Sequence, residues 1–360
     1  MKNSQGGTLL FRKYDFSWYF LCRGHYYKCN YLCESPEMKP VAAADLPDIA
    51  DIHCAHARIR QQVRLTPVLN DPLLDETLGC KLYCKCENFQ RTGAFKFRGA
   101  SNAIACLSEE GTPGDVATHS SGNHGAALAL AARIDGRTAH VVMPENSSPL
   151  KIDAVRSYGG QVHFCRPTNE ARVVELEKLV QSGMIPVHPY DDARIIAGQG
   201  TAALELEQEV PVIEQVITPL GGGGLVSGTV IATRAWGADV FAVEPEGAAD
   251  TVASLQRGQI IDDFKPDTIA DGLRAIVGVR NFQVIREGVN RVLTVSDDEI
   301  RKAMVLFWLH LKILIEPSSA TVIAAVIKHP EIFAGRKVGA VISGGNIHPA
   351  EWLRLTGNDN

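Results

Sequence analysis

The chain has 360 residues, of which 45% are hydrophobic and 21% are charged, and its formal net charge is −5. A chain of this length and composition can bury a sizeable core and divides into one large or two modest domains. The acidic balance provides no basic surface for nucleic acid, and no apolar run approaches the roughly 20 residues needed to cross a bilayer. Nine cysteines at irregular spacing are too few for a secreted disulfide framework. We therefore expect a cytoplasmic protein with neither a nucleic-acid nor a membrane partner.

The first 37 residues have an unusual composition. They crowd aromatic residues and cysteines together without helical or alternating periodicity, at Phe16, Trp18, Tyr19, Phe20, Cys22, Tyr26, Tyr27, Cys29, Tyr31 and Cys33. The apolar stretch between Asp15 and Arg23 is too short for the core of a signal peptide. We expect residues 1–37 to be a disordered N-terminal extension, with Met38 as the native start; a mitochondrial transit peptide is the alternative.

From residue 46 onward the pattern is typical of an α/β protein. The apolar spacing over residues 48–59 predicts a first helix, which Pro67 follows as a helix breaker. Short apolar runs then alternate with longer amphipathic ones, at 116–118 before 126–132, at 138–143 before 150–158 and at 216–218 before 225–236, and further short runs follow at 240–243 and 339–342. This alternation predicts βαβ units and a mostly parallel sheet.

Two cysteines early in the chain share a spacing that suits a strand. Cys84 and Cys86 are separated by a single residue, so on a strand they would lie on the same face. No second cysteine pair lies at zinc-finger spacing. We interpret both as strand residues, with a role in metal binding as the alternative.

Lys96 lies between Phe95 and Phe97, in surroundings that disfavour its charged form. Such surroundings lower the pKa of an amine and make it a usable nucleophile toward a carbonyl. The alternative is a lysine whose aliphatic stem lies along an apolar surface.

Three glycine-rich turns follow apolar runs, at residues 120–125, 221–224 and 343–346. An open α/β sheet binds its ligands at the carboxyl ends of its strands, which is where these turns fall. Four consecutive glycines would present backbone N–H groups and a helix N-terminus to an anion. The turn is not a Walker loop, because no Gly-Lys-Ser/Thr closes it, and it lacks the acidic ribose partner of a dinucleotide site. We predict a phosphate site, with a tight turn of packing glycines as the alternative.

Together, these motifs resemble one family of enzymes. Lys96 in the segment 95–100, Ser-Gly-Asn-His-Gly at 121–125, the four glycines and Ser-Gly-Gly-Asn at 343–346 are similar to the motifs of the fold-type II pyridoxal-phosphate enzymes. Within them the chain resembles the serine racemases and the short threonine/serine ammonia-lyases, over residues 58–352. The resemblance implies a tryptophan synthase β-like α/β fold, in which two open, mostly parallel sheets are flanked by helices. It further implies a large domain of residues 38–114 and 191–360, a small domain of 115–190 and a cleft between them.

The resemblance also implies roles for single residues. Lys96 is the lysine that bonds the cofactor and then serves as base or acid at the substrate's α-carbon, and Ser121 faces it from the other side. Asn123 is the partner of the cofactor's phenolic oxygen, and Ser343 lies beside its pyridine nitrogen. The implied cofactor contacts are Phe95, Lys96, Asn123, Gly221, Gly222, Gly223, Gly224, Gly272 and Ser343. The implied substrate contacts are Ser120, Ser121, Gly122, Asn123 and His124, although for His124 a packing role is the alternative.

An acidic segment at residues 244–250 is a candidate metal site. Hard divalent cations prefer oxygen ligands such as its carboxylates, but the spacing alone favours a solvated acidic loop. The segment resembles the metal loop of serine racemase-like enzymes. This resemblance implies that Glu244, the backbone oxygen of Ala248 and Asp250 bind Mg²⁺, or Ca²⁺ or Mn²⁺.

The resemblance implies an ammonia-lyase that converts L-threonine, L-serine or 3-hydroxyaspartate to a 2-oxo acid and ammonia by β-elimination. The segment 188–192, with Tyr190, resembles its counterpart in dehydratases, whereas mammalian racemases carry asparagine at that position. Serine racemase activity is the alternative, and a cofactor- or anion-binding module without chemistry is the non-enzymatic one. The family resemblance implies a homodimer.

Overall fold

The computed structural model describes residues 46–120 and 122–357, with the backbone alone at residue 169, and the backbone of two strands nearer the N-terminus. These strands, β1 (Ser17–Cys22) and β2 (His25–Asn30), pair antiparallel and belong to a unit of residues 1–39. The predicted disorder of residues 1–37 and the native start at Met38 concern mostly residues outside the described ones, so both stay predictions. A second unit spans residues 40–360.

The second unit contains two sheets. The larger sheet has the strand order β11-β10-β9-β12-β4-β3 and is parallel except at its β3–β4 edge. Its strands are β3 (Val68–Leu69), β4 (Lys81–Cys86), β9 (Gln215–Pro219), β10 (Asp239–Pro245), β11 (Arg291–Val295) and β12 (Lys337–Ile342). The smaller sheet is wholly parallel, in the order β7-β6-β5-β8. Its strands are β5 (Val116–His119), β6 (Ala139–Pro144), β7 (Gln161–Cys165) and β8 (Ile185–Pro186).

Helices flank both sheets. They are α1 (Ile49–Ile59), α2 (Pro72–Leu78), α3 (Lys96–Glu109), α4 (Asn123–Ile134), α5 (Pro149–Ser157), α6 (Asn169–Gln181), α7 (Ala193–Glu209), α8 (Gly224–Thr233), α9 (Asp250–Arg257), α10 (Val279–Gly288), α11 (Asp297–Leu311), α12 (Pro317–Lys328), α13 (Pro330–Phe333) and α14 (Pro349–Thr356). All strands of the smaller sheet lie within residues 115–190. The division into a large and a small domain stays a prediction.

The predicted α/β architecture with mostly parallel sheets is confirmed. The first helix begins after Asp48, whose side chain accepts a hydrogen bond from the backbone N–H of Asp51 and caps it. The helix predicted over 225–236 ends earlier, at Thr233. Its last turn tightens through a hydrogen bond from the N–H of Trp236 to the carbonyl of Thr233, and Gly237 then turns the chain at φ +75°.

The core has separate apolar clusters around the two sheets. Cys84 and Cys86 both lie buried on β4, as predicted for strand residues, and burial raises the pKa of the Cys86 thiol to about 12. In the described part of the chain, no three His, Cys, Asp or Glu side chains are grouped as metal ligands. Among the helices of the described residues, none combines the length and the apolar character that a membrane span requires.

Candidate active site

Lys96 opens α3, and the segment before it is held against the chain after β12. Phe95 donates a backbone hydrogen bond to Ser343 at 2.9 Å, and Gly345 donates one to Gly93 at 2.9 Å. Ala94 and Gly344 form an antiparallel bridge between these two hydrogen bonds. Two motifs separated by about 250 residues of sequence are thus joined beside the first turn of α3.

The Lys96 amine is withdrawn from water and has no acidic partner among the described residues. Its Nζ donates to the Pro189 carbonyl at 2.9 Å and lies 5.2 Å from the centroid of the Phe95 ring and 5.9 Å from that of Tyr190. Burial lowers the pKa of Lys96 to about 8, and no carboxylate of the described residues offsets this effect. A far larger fraction of this amine than of an ordinary lysine is therefore neutral near physiological pH, as nucleophilic attack on a carbonyl requires.

The glycine loop lies next to the same site. Gly223 has φ +93° and precedes α8, and Asn281 donates to the Gly222 carbonyl at 2.7 Å. A Cβ atom on Gly222 would overlap the Tyr190 ring, so the ring contacts both the loop and the surroundings of Lys96. Within the described residues the N–H groups of positions 221–223 donate no hydrogen bond. Unpaired donors at a helix N-terminus are suited to a phosphate.

Gly272 and Ser343 also lie at this edge of the larger sheet. A Cβ atom on Gly221 would lie 3.3 Å from the Gly272 carbonyl oxygen, so Gly272 packs against the glycine loop. Ser343 is buried, and its hydroxyl lies 3.0 Å from that of Ser319. The hydrogen-bond partner of the Ser343 hydroxyl is therefore a neutral hydroxyl on α12, that of Ser319.

The turn at residues 120–125 closes the site from the smaller sheet. Ser120 Oγ accepts from the N–H groups of Gly122 at 3.2 Å and Gly125 at 3.1 Å, which fixes the turn at the start of α4. Asn123 donates to Glu316 Oε1 at 2.9 Å. His124 is buried, and burial lowers its pKa well below the usual value. Ser121 lies outside the described residues, so its role stays a prediction.

Three neutral imidazoles, those of His119, His124 and His188, lie at the site. Burial, helped by the charge of Lys96, lowers the pKa of His124 and of His188. Burial lowers the pKa of His119 to about 3 and that of His188 to about 4. The His188 ring lies 5.9 Å from that of His119 and 4.6 Å from that of Tyr190, and its Nδ1 accepts from the N–H of Asp191 at 2.8 Å. Because these rings are uncharged near neutral pH, they add no cation beside Lys96. The sequence motifs gave neither His119 nor His188 a role of its own, although His119 directly precedes the turn at 120–125 and His188 opens the segment 188–192.

Glu316 is a further residue that the motifs did not identify. It is 4% exposed, and it has no cationic hydrogen-bond partner in the described part of the chain. Burial, together with the charge of Asp271, raises the pKa of Glu316 to about 7. Lys151, the nearest source of opposite charge, is paired with Asp271. No sequence motif marks Glu316, because it reaches the site only through its hydrogen bond with Asn123, a residue distant in the sequence.

A buried ionic cluster lies behind the site and anchors α3; its members are Lys85, Glu87, Arg98 and Glu205. Arg98 donates to Glu87 at 2.7 and 2.8 Å and to Glu205 at 2.7 and 2.6 Å. Lys85 Nζ lies 2.9 Å from Glu205 and donates to the Thr66 carbonyl at 2.7 Å. Two cations thus balance two carboxylates, and the arrangement holds the turn of α3 that carries Lys96.

The predicted metal segment is buried, so the expectation of a solvated loop is wrong for its two key carboxylates. Glu244 ends β10 and is 0% exposed, whereas Asp250 begins α9 and is 1% exposed. Glu244 accepts from the N–H groups of Thr251 and Val252 at 3.0 Å, and Asp250 accepts from Val277 at 3.0 Å. The parallel strands β9 and β11 flank β10 and exclude water from its end.

The oxygen atoms of this segment are suited to a hard cation. Burial raises the pKa of Glu244 to about 8, with a further contribution from the Asp250 charge, and burial raises the pKa of Asp250 to about 6. Neither carboxylate forms an ion pair with a basic side chain among the described residues. Two carboxylates and the buried Ala248 backbone between them fit a divalent cation such as Mg²⁺ or Ca²⁺.

Known proteins of related sequence match the part of the chain that contains this site. The family described as "Pyridoxal-phosphate dependent enzyme" matches residues 59–344. The chain is 45% identical to a serine racemase of Dictyostelium discoideum over 86% of this chain and 97% of that protein. It is 44% identical to a beta-hydroxyaspartate dehydratase of Paracoccus denitrificans over 84% of this chain and 97% of that protein. The solved structure of a T.th. threonine deaminase superposes with a TM-score of 0.80, at 37% identity, over 84% of this chain and 99% of that one.

Proposed function

The chain belongs to the pyridoxal-phosphate-dependent enzyme family, with the fold-type II architecture, and we propose that it is an ammonia-lyase acting on a β-hydroxy amino acid. The proposed substrates are L-serine, L-threonine and 3-hydroxyaspartate. The observation that carries the proposal is the Lys96 amine, which has a pKa of about 8 and no acidic partner among the described residues. The similarity to a dehydratase and to a threonine deaminase supports the same reaction class.

The residues of the cleft fit pyridoxal phosphate. We assign its phosphate to Gly221, Gly222, Gly223 and Gly224, whose loop offers unpaired N–H groups and the start of α8. We assign its ring to the space beside Phe95, Asn123, Gly272 and Ser343. When bound, pyridoxal phosphate withdraws electrons from the substrate's α-carbon and so acidifies its C–H bond.

The chain's own groups would then move the protons. Lys96 would accept the proton of the substrate's α-carbon, because its lowered pKa leaves part of the amine neutral. The β-hydroxyl would leave as water by taking up a proton equivalent to the one that Lys96 removed, and the released amino acrylate would take up water to give the 2-oxo acid and ammonia. Ser343 would offer the pyridine nitrogen a hydroxyl in place of a carboxylate, which would favour elimination over transamination. We assign the substrate's carboxylate to the turn of Ser120, Ser121, Gly122, Asn123 and His124, at the start of α4.

Serine racemase activity is the second candidate, and the similarity to the Dictyostelium enzyme favours it. Both reactions begin with removal of the same α-proton, and Ser121 would return a proton from the opposite face. The deciding experiment incubates the purified holoenzyme with L-serine, L-threonine and 3-hydroxyaspartate and follows the 2-oxo acid and the D-amino acid together. Oxo acid without D-amino acid identifies the lyase, and D-serine as the main product would overturn it.

We also propose a divalent cation at Glu244, the Ala248 carbonyl and Asp250, with Mg²⁺ or Ca²⁺ ahead of Mn²⁺. The test is thermal unfolding of the wild type and of Asp250→Asn, each with chelator and with added Mg²⁺ or Ca²⁺. The proposal expects the cation to raise the melting temperature of the wild type by several degrees and to leave that of Asp250→Asn nearly unchanged. Equal responses of the two proteins would contradict it.

A cytoplasmic homodimer completes the proposal. Cys84 and Cys86 are buried free thiols, which fits a reducing compartment. Trp308 and Leu309 on α11 and Leu353 on α14 are exposed apolar side chains that a second copy could cover. Sedimentation velocity of the holoenzyme should give the mass of a dimer, and a monomer at micromolar concentration would rule this assembly out.

A further inference from the structure

A chain of side-chain hydrogen bonds crosses the cleft between the Ser-Gly-Gly-Asn segment and α4. Asn346 Nδ2 donates to the Thr92 carbonyl at 2.7 Å and to Asn123 Oδ1 at 2.9 Å. Asn123 Nδ2 then donates to Glu316 Oε1 at 2.9 Å. The chain therefore runs from a backbone carbonyl to a buried carboxyl through two amides.

The direction of these hydrogen bonds follows from the donors and acceptors at each end. A backbone carbonyl can only accept, so the side of Asn346 that faces Thr92 must be its NH₂ group. Its second N–H is then directed to Asn123, which must present its carbonyl oxygen there. Asn123 in turn has two N–H groups, of which one reaches Glu316 and one is left over.

The backbone of Thr92 and Gly93 fixes the position of the Asn346 side chain. Thr92 has φ +62°, a conformation that is strained for a β-branched residue, and it places its carbonyl toward Asn346. Gly93 has φ +75°, and a Cβ atom there would overlap Asn346 Oδ1. The segment before Lys96 thus leaves room for this one side chain and supplies its acceptor.

Glu316, at the other end of these hydrogen bonds, is also held in place by its surroundings. Glu316 is buried, and a Cβ atom on Gly344 would come close to its Oε1, so this oxygen is held in place between Gly344 and Asn123. As carboxylate or as carboxylic acid, Glu316 still has an oxygen that can accept from Asn123. Burial raises the pKa of Glu316 to about 7, so its carboxylate and its carboxylic acid both occur near neutral pH. Neither form reverses the direction of the hydrogen bonds from Asn346 to Glu316.

We propose that Asn346 is a positioning residue, which with Glu316 fixes the Asn123 amide so that one N–H, and never its carbonyl oxygen, is offered to the ring oxygen of the cofactor. This inference rests on the proposed function, because it takes Asn123 as the cofactor contact. An N–H that is already oriented stabilises an oxyanion without the cost of reorienting the amide when the ligand binds. It therefore lowers the pKa of the bound ring hydroxyl and strengthens cofactor binding.

The test replaces Asn346 and follows the bound cofactor by its visible absorption, without any turnover. In Asn346→Asp the side chain can only accept, so the Asn123 amide turns around and offers its oxygen to the cofactor. We expect the midpoint of the spectral pH titration to rise by about one unit and the dissociation constant for pyridoxal phosphate to rise about tenfold. Asn346→Ala, which leaves Asn123 unanchored, should shift both in the same direction by less.

Two comparisons separate positioning from general damage. Asn70 also donates to one backbone carbonyl, that of Leu82, and to one side chain, Asp75, so Asn70→Asp removes a matched pair of bonds away from the site. It should leave the spectral midpoint unchanged. In an Asn123→Ala background, Asn346→Asp should shift the midpoint no further.

The outcomes are distinct. Folded Asn346→Asp and Asn346→Ala proteins with the wild-type midpoint would overturn the inference, as would a full shift in the Asn123→Ala background or an equal shift in Asn70→Asp. If Asn346→Asp fails to fold, Asn346→Ala gives the same decision. A wild-type protein that binds no pyridoxal phosphate would instead refute the proposed function itself.

Discussion

Lys85 and Lys96 lie only 11 positions apart in the sequence, on either side of the segment that joins β4 to α3, yet their surroundings are opposite. The Lys85 amine is 0% exposed and has two oxygen partners, a Glu205 carboxylate oxygen and the Thr66 carbonyl. Within the described part of the chain, the Lys96 amine has one oxygen partner, the Pro189 carbonyl, and the aromatic rings of Phe95 and Tyr190 lie near it. Burial is common to both regions, so the number and charge of the partners decide what each lysine can do.

The comparison separates the scaffold from the site. In the buried ionic cluster of Lys85, Glu87, Arg98 and Glu205, opposite charges balance and the cations have carboxylate acceptors. At the site, the loop N–H groups at 221–223 and the Lys96 amine are left without such partners within the described residues. Polar groups without a hydrogen-bond or ion-pair partner are typical of a site where a bound ligand provides that partner.

The largest expected effect comes from removing the amine at the site. Lys96→Ala should lower kcat of the lyase reaction by about 10³-fold or more, because the proton acceptor at the α-carbon is lost. Assays of oxo acid formation measure this. The matched control is Lys81→Ala, an exposed lysine on β4, which should retain wild-type activity; a similar loss in both variants would remove the special status of Lys96.

The next effect comes from breaking the buried ionic cluster. Arg98→Met leaves Glu87 and Glu205 without their shared guanidinium, so the free energy of unfolding should fall by about 3–5 kcal/mol. Urea denaturation of the apoprotein measures it. Arg336 pairs with Glu214 at the surface, and Arg336→Met should cost less than about 1 kcal/mol. A stable Arg98→Met protein would show that the cluster does not hold the fold.

Lys85→Met tests whether Lys85 stabilises the fold without contributing to the site. Arg98 still pairs with Glu205 in this variant, so the loss in the free energy of unfolding should be about 1–3 kcal/mol, less than for Arg98→Met. The same urea experiment checks the order. Once folded, the variant should bind pyridoxal phosphate with the visible spectrum of the wild type. A loss of the band in Lys85→Met alone would show that the wrong lysine has been assigned.

The smallest effect is a pH dependence. With a pKa of about 8, the neutral fraction of Lys96 should rise about tenfold between pH 7 and pH 9 and then level off. The rate at which apoprotein captures pyridoxal phosphate should follow this curve. An ordinary lysine would instead gain about a hundredfold over the same interval and continue to rise. A rate that still increases steeply above pH 9 would therefore contradict the lowered pKa.

Local features of the sequence predicted much of this arrangement. The spacing of apolar runs predicted strands β5, β6, β9, β10 and β12 and a mostly parallel pairing, because these runs are buried in the sheets. It did not predict β3, β7, β8 or β11. The candidate Lys96 followed from its aromatic neighbours. The glycine loop was also recognisable, since four consecutive glycines have few uses besides a close backbone approach to a ligand.

What the sequence could not predict depends on contacts between distant segments. Glu316 looks like an ordinary helix-cap residue until α12 packs behind Asn123, about 190 positions away. Glu244 and Asp250 read as a solvated loop because the sequence does not show that β10 lies inside its sheet. The pairing of Arg98 with Glu205, about 100 positions apart, is invisible for the same reason.

The most direct test of the central claim is to identify the lysine that the cofactor bonds. Purified protein is incubated with pyridoxal phosphate, reduced with borohydride to make any lysine–carbonyl bond permanent, and digested for peptide mass spectrometry. The account predicts one stoichiometric pyridoxyl label on Lys96 and none on Lys85. A label spread over surface lysines, placed on Lys85, or absent altogether would contradict it.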